Sequence, residues 1–336
     1  MPPGRILLPL LPLLTLLPLG PATPCSPQPN VTRFVCTEPT LSTFPSGLPP
    51  TTLAVSVEFT ALAVLLPTAL AGLPRLQELH LSSNRLATLP KALLRPVPTL
   101  RVLDLTNNLL ADLPAGIFAT TGHLQHLVLR GNQLQALQPA WFRHLPRLQW
   151  LDLAANALAE VPPAVFHPLR SLRSLDLSHN RLATLAPGAL AGLRALEQLD
   201  LEGNRLGTLS PSAFAPAPAL RLLFLQDNEL RVLPAGIFIP LRHLRVLNLA
   251  HNQLQVLELP PRSPGPALDL DISGNPWVCQ CPLLALLRRA APQLTATRDT
   301  LCASPPRYRG QEVAAVSRAG DTGCEPKGDR QHPSDP

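Results

Sequence analysis

Aromatic residues make up only 4% of the 336-residue chain, and lysine occurs just at Lys91 and Lys327. Neither shortage excludes a folded core, because leucine supplies burial at roughly 1.5 to 3 kcal/mol per side chain before entropy is subtracted. The motifs of several enzyme classes are missing. There is no GxSxG elbow, no HExxH and no glycine-rich phosphate loop, so no enzyme activity and no cofactor or metal are expected. His80, His126, His179 and His251 are far apart in sequence and read as solvated surface residues. No run of basic residues occurs. The formal charge of +6 rests on single arginines such as Arg101, Arg173, Arg221 and Arg245, which read as solvated edge rather than as a strip for heparin or nucleic acid. No stretch reads as a membrane span: the N-terminal run Ile6 to Leu19 falls short of the roughly 20 apolar residues required and contains Pro9, Pro12 and Pro18, and no later stretch is a credible span. The polar end Glu325 to Pro336 lacks the hydrophobic tail of a lipid-anchor signal. Cysteine is absent from the whole middle of the chain.

What fills that middle is a strict period. From Asn84, asparagine returns every 24 residues at Asn108, Asn132, Asn156, Asn180, Asn204, Asn228 and Asn252, without insertion or deletion. Leucine stands eight, five and three residues before each of these and two residues after. A fixed period of this length means a solenoid. The pair flanking one open position, as in Leu79-His80-Leu81, has strand periodicity. One strand per repeat builds a parallel sheet with neighbours roughly 4.8 Å apart, and the rest of each repeat is the return path. Asparagine suits the corner because its amide both donates and accepts, so a ladder of asparagines can satisfy backbone groups that turn inward. Leu94, Phe118, Phe142, Phe166, Leu190, Phe214 and Phe238 anchor the return path, and Pro90, Pro114, Pro162 and Pro234 favour turns there over a long helix.

The expected fold class is therefore an α/β solenoid, a horseshoe with a concave parallel sheet and capped ends. Degenerate copies flank the regular eight. Thr52 to Leu73 keeps the frame with Thr60 in place of asparagine, so the sheet is expected to begin near Ala54; Leu270, Ile272 and Asn275 restart a strand after the loop Pro260 to Pro266. About ten strands follow from this count.

The ends complete the domain plan. Residues 1–22, with Arg5, an apolar run from Ile6 to Leu19 and small residues before Thr23, read as an export signal. Residues 23–51 form an N-terminal cap, 52–274 the repeats, 275–324 a cysteine-rich C-terminal cap and 325–336 a disordered tail. Cys25 and Cys36 make one bridge, whereas Cys279, Cys281, Cys302 and Cys324 allow three pairings that spacing alone does not decide. Leu283 to Ala291 suits a short helix. Asn30-Val31-Thr32 is a glycosylation sequon. A soluble, secreted glycoprotein is expected, and a monomer.

The frame is that of the 24-residue leucine-rich repeat. LQELHLSSN at Leu76 to Asn84, LRPVPTLRVLDLTNN at Leu94 to Asn108 and DISGNPWVC at Asp271 to Cys279 resemble the leucine-rich alpha-2-glycoproteins, an extracellular family. The resemblance implies pairing of Cys279 with Cys302 and of Cys281 with Cys324. It also implies a plasma protein that modulates transforming growth factor beta signalling and angiogenesis through endoglin, and that binds cytochrome c. It assigns no contact to any single residue. An extracellular matrix protein and a non-catalytic carrier subunit of a plasma enzyme complex are the competing functions.

Strand parity points to a face. Side chains six, four and two residues before each asparagine are expected on the concave surface. There Asp152, Asp176 and Asp200 form a row beside Glu202, suited to a basic partner and less well to calcium. The same Asp also occurs in LDLSxN repeats without any ligand. Trp150 near His126 and Val128, and Leu222 with Phe224 and Val246, are candidate apolar anchors.

Overall fold

The computed structural model describes residues 25–27, 32–259, 268–280, 283–284 and 299–318. Strands β3 (Ala54–Val57), β4 (Glu78–His80), β5 (Val102–Asp104), β6 (His126–Val128), β7 (Trp150–Asp152) and β8 (Ser174–Asp176) follow one per repeat. After the short convex strand β9 (Thr184–Leu185) come β10 (Gln198–Asp200), a second convex strand β11 (Thr208–Leu209), then β12 (Leu222–Phe224), β13 (Val246–Asn248) and β14 (Asp269–Asp271). The repeat strands pair in parallel and in register, so that Asp152 faces Asp176, Asp176 faces Asp200 and Asp200 faces Phe224. Apart from β9 and β11, the return paths are turns, with one short helix among the described residues of the repeats, Pro139–Phe142.

The sheet starts earlier than Ala54. Strand β2 (Arg33–Cys36) adds in parallel to β3, and β1 (Ser26–Pro27) folds back on it antiparallel. Phe34 and Cys36 thereby continue the leucine core, and the Cys25–Cys36 disulfide ties down the hairpin. A two-residue outer strand containing proline is a poor template for further pairing, which suits the end of a sheet.

The asparagine ladder carries the inward-turned backbone. Asn132 Nδ2 donates to the carbonyls of Leu129 at 3.0 Å and of Leu105, in the preceding repeat, at 2.9 Å, while its Oδ1 accepts the Leu110 N–H at 3.0 Å. The same pattern runs from Asn108 to Asn275, and Thr60 closes it with a hydroxyl donated to Asn84. Residues just before the ladder have positive φ. At Gly203, with φ +63°, an added Cβ would lie 2.4 Å from the His179 ring that packs on it. Leucines fill the interior, and the convex side is lined by the pairs Phe142–Phe166 and Phe214–Phe238.

At the C-terminal end β15 (Trp277–Val278) pairs with β16 (Cys302–Ser304), and Cys279 is bridged to Cys302. The helix Val313–Arg318 buries Val313 and Val316 over this end. Leu283 and Leu284 are helical and buried; the remainder of the expected cap helix, Cys281, Cys324, Asn30 and the N-terminal 22 residues lie outside the described residues. No described helix is long and apolar enough to cross a membrane.

Candidate functional site on the concave sheet

The aspartate row has a local structural task. Each of these side chains accepts the backbone N–H two residues on, an Asx-type turn that ends the strand. The bonds run from Ala154 to Asp152 at 2.9 Å, from Ser178 to Asp176 at 2.9 Å and from Glu202 to Asp200 at 3.0 Å. Asn248 does the same for Ala250 at 3.0 Å, so the turn requires an oxygen acceptor and not a charge.

At Asp152 and Asp200 the charge itself is unfavourable for the folded chain. Burial pushes the Asp200 carboxyl up to about 6, helped by repulsion from Asp176 and Glu202 and opposed by the Glu202 N–H and by His179. Asp152 is raised too, first by burial and then by Asp176 and Asp104. Relief is partial: Arg130 Nη1 lies 3.8 Å from Asp176, and His179 Nε2 lies 3.8 Å from Glu202, which also accepts a bond from Gln226. Asp152 departs from the expected accessible position. It is only 9% exposed, whereas Asp176 and Asp200, which hold the same turn bond, are half-buried.

The two apolar groups expected from strand parity are regrouped. Trp150, 41% exposed, and Leu222 line one groove of about 410 Å3 with His126 at its end. Phe224 and Val246 do not line it; both are half-buried, Val246 beside Leu222 and Phe224 beside Asn248, and Val128 is half-buried on β6. Arg173, Arg221 and Arg245 form the groove's rim. Glu197 lies between two of them, 3.3 Å from Arg173 and 3.7 Å from Arg221. These arginines therefore frame an aromatic groove rather than serve as isolated edge charges. Their shared place just before the strands was visible in the repeat frame, but the groove needed three-dimensional stacking. The concave face is thus two-toned, basic and aromatic at the strand starts, acidic along the strand ends.

A second cluster was missed by looking for histidines near one another. His80 is not a simple solvated residue: it lies among Glu58, Glu78 and Asp104, contributed by the first repeats. Pairing with the Asp104 carboxylate raises the His80 pKa, against the effect of burial. Asp104 is pushed up by burial but held low on balance by His80 and by Thr106. Reading one column across neighbouring repeats, His80 to Asp104, would have found the pair. His179 and His251 pack their rings on Gly203 and Gly274 instead.

A rigid parallel-strand solenoid with such a face is a preformed binding scaffold. The chain belongs to the leucine-rich repeat family. Residues 98–158, 150–206 and 202–254 match the description Leucine rich repeat, and 74–116 match Leucine Rich repeats (2 copies), together spanning more than half the chain. Proteins of this kind generally bind other proteins rather than catalyse reactions. A 61-residue segment is 59% identical to phospholipase A2 inhibitor beta of Elaphe climacophora, and 61 residues are 59% identical to a phospholipase A2 inhibitor of Gloydius brevicaudus siniticus. Each match spans 18% of this chain and 18% of the relative. Among solved structures, a leucine-rich repeat protein of Leptospira interrogans superimposes with TM-score 0.61 at 27% identity, over 72% of this chain and 60% of that one. The mouse RP105/MD-1 complex superimposes with TM-score 0.65 at 25% identity, over 84% of this chain and 53% of that one.

Proposed function

We propose that this chain is a secreted, non-enzymatic glycoprotein that captures a protein partner on its concave face, and that it modulates transforming growth factor beta signalling and angiogenesis through endoglin. The observation that carries the binding reading is the juxtaposition of the Trp150–Leu222 groove with the carboxylates of Asp176, Asp200 and Glu202 on one rigid sheet. An exposed aromatic in a groove is the kind of anchor that dominates binding energy, and carboxylates only partly relieved by Arg130 and His179 favour a cationic partner. Cytochrome c, a basic protein, fits that electrostatic demand. The signalling assignment rests on the motif resemblance. Two disulfides suit an oxidising compartment, and with the N-terminal stretch read as an export signal they support secretion. Capture of a phospholipase A2 is a second reading, favoured by the 61-residue segment that is 59% identical in two proteins named as inhibitors of that enzyme.

The test is binding of the immobilised mature chain to endoglin, transforming growth factor beta, cytochrome c and a phospholipase A2 at about 50 and about 300 mM salt. Saturable binding to any of the first three, weakened at high salt when the partner is basic, supports the reading. Binding to the phospholipase alone transfers it to the inhibitor role, and binding to none of the four overturns it.

A further inference from the structure

We propose that Glu58, His80 and Asp104 form a binding site for a divalent transition-metal ion, zinc by the chemistry of its donors. One ligand atom from each lies within 4.8 Å of the other two. Tetrahedral zinc with N and O ligands needs edges of roughly 3.3 Å, so closure shortens the separations by up to about 1.5 Å, shared among half-buried side chains that retain rotamer freedom. Two carboxylates offset the ion's charge, and an imidazole selects against calcium, whose ligands are oxygens.

The surroundings already orient the donors. Ser56 and Ser82 hydroxyls each donate to one oxygen of Glu58 at 2.7 Å. Thr106 donates its N–H and its hydroxyl to Asp104 Oδ1, at 2.8 and 2.6 Å, which leaves Oδ2 facing His80 Nδ1 at 3.9 Å. The opposite ring nitrogen, Nε2, lies 3.9 Å from Glu78. Glu78 is held by both guanidinium nitrogens of Arg33 at 2.9 and 3.0 Å, so it is withdrawn from the ligand set. A carboxylate behind a metal-bound imidazole is the arrangement that fixes ring orientation and raises ligand basicity in zinc sites. Three protein ligands leave a fourth position, which opens on a cleft of about 340 Å3 beside Arg33, Ser56 and Glu78.

The experiment is calorimetric titration of the chelator-treated full chain with zinc chloride, alongside cobalt(II) absorption and a calcium arm. Expected are one equivalent of zinc bound in the micromolar range, a tetrahedral cobalt spectrum and no calcium uptake. His80→Gln and Asp104→Asn abolish the cobalt spectrum, while Ser82→Ala weakens zinc by about tenfold. Thermal melts in chelator separate loss of the site from loss of the fold. No zinc uptake by the wild-type chain, zinc uptake unchanged in folded His80→Gln and Asp104→Asn, or equal uptake of calcium overturns the proposal. If one variant fails to fold, the other and the wild-type cobalt spectrum still decide.

Discussion

Replacing Asp200 by asparagine is expected to stabilise the protein at neutral pH. The substitution keeps the Oδ1 that accepts the Glu202 N–H, as Asn248 shows for Ala250 two strands away, and removes only the charge. The Asp200 carboxyl is raised from 3.8 to about 6. Its folded-state value lies above its unfolded value, so the folded chain holds an extra proton between the two, and ionisation costs stability fully above the higher one. A rise of this size corresponds to at most about 3 kcal/mol at pH 7.5, and partial solvent access lowers it to roughly 1 to 3 kcal/mol. The gain from Asp200→Asn is present at pH 7.5, shrinks steeply between pH 6 and pH 4, and vanishes below. Urea unfolding midpoints of wild type and variant across that range measure it. A variant that is less stable at pH 7.5, or a difference that does not depend on pH, refutes the reasoning. A charge that costs the fold stability while an amide would serve the turn points to a role outside the fold, and the variant is therefore expected to bind a cationic partner more weakly.

Further outcomes follow from other parts of the structure. Asn180→Ala leaves the Leu153, Leu177 and Ser178 carbonyls and the Leu158 N–H without their ladder partner, and costs about 3 kcal/mol in the same denaturation assay. Gly203→Ala forces a side chain into positive φ against the His179 ring and lowers stability by about 1 to 3 kcal/mol, seen as a lower melting temperature. Trp150→Ala changes stability by less than about 1 kcal/mol but weakens partner binding by at least about tenfold. Treatment with an N-glycosidase is expected to shift the mass of the secreted chain through Asn30.

The horseshoe was legible because its causes are local and periodic. Leucines at fixed distances from each asparagine determine strand, corner and return path without reference to the rest of the chain, and the ladder bonds of Asn84 to Asn252 occupy the positions their spacing implies. The N-terminal limit of the sheet was not legible, since Arg33 to Cys36 joins by edge pairing outside the repeat frame. The concave face was half legible. Parity placed Asp176, Asp200, Trp150 and Leu222 on it, yet Asp152 is buried and Phe224 falls outside the groove. The Glu58–His80–Asp104 cluster depends on side-chain reach across three strands, which a column of letters encodes only when neighbouring repeats are read together.

The claim that the concave sheet is the binding surface is tested most directly by hydroxyl-radical footprinting of the complex with whichever partner binds. Trp150 and Leu222 are expected to lose labelling on complex formation, while Val232 and Ile239 on the return path, 72% and 60% exposed, stay labelled. Protection of Val232 and Ile239 with Trp150 still labelled would contradict the account.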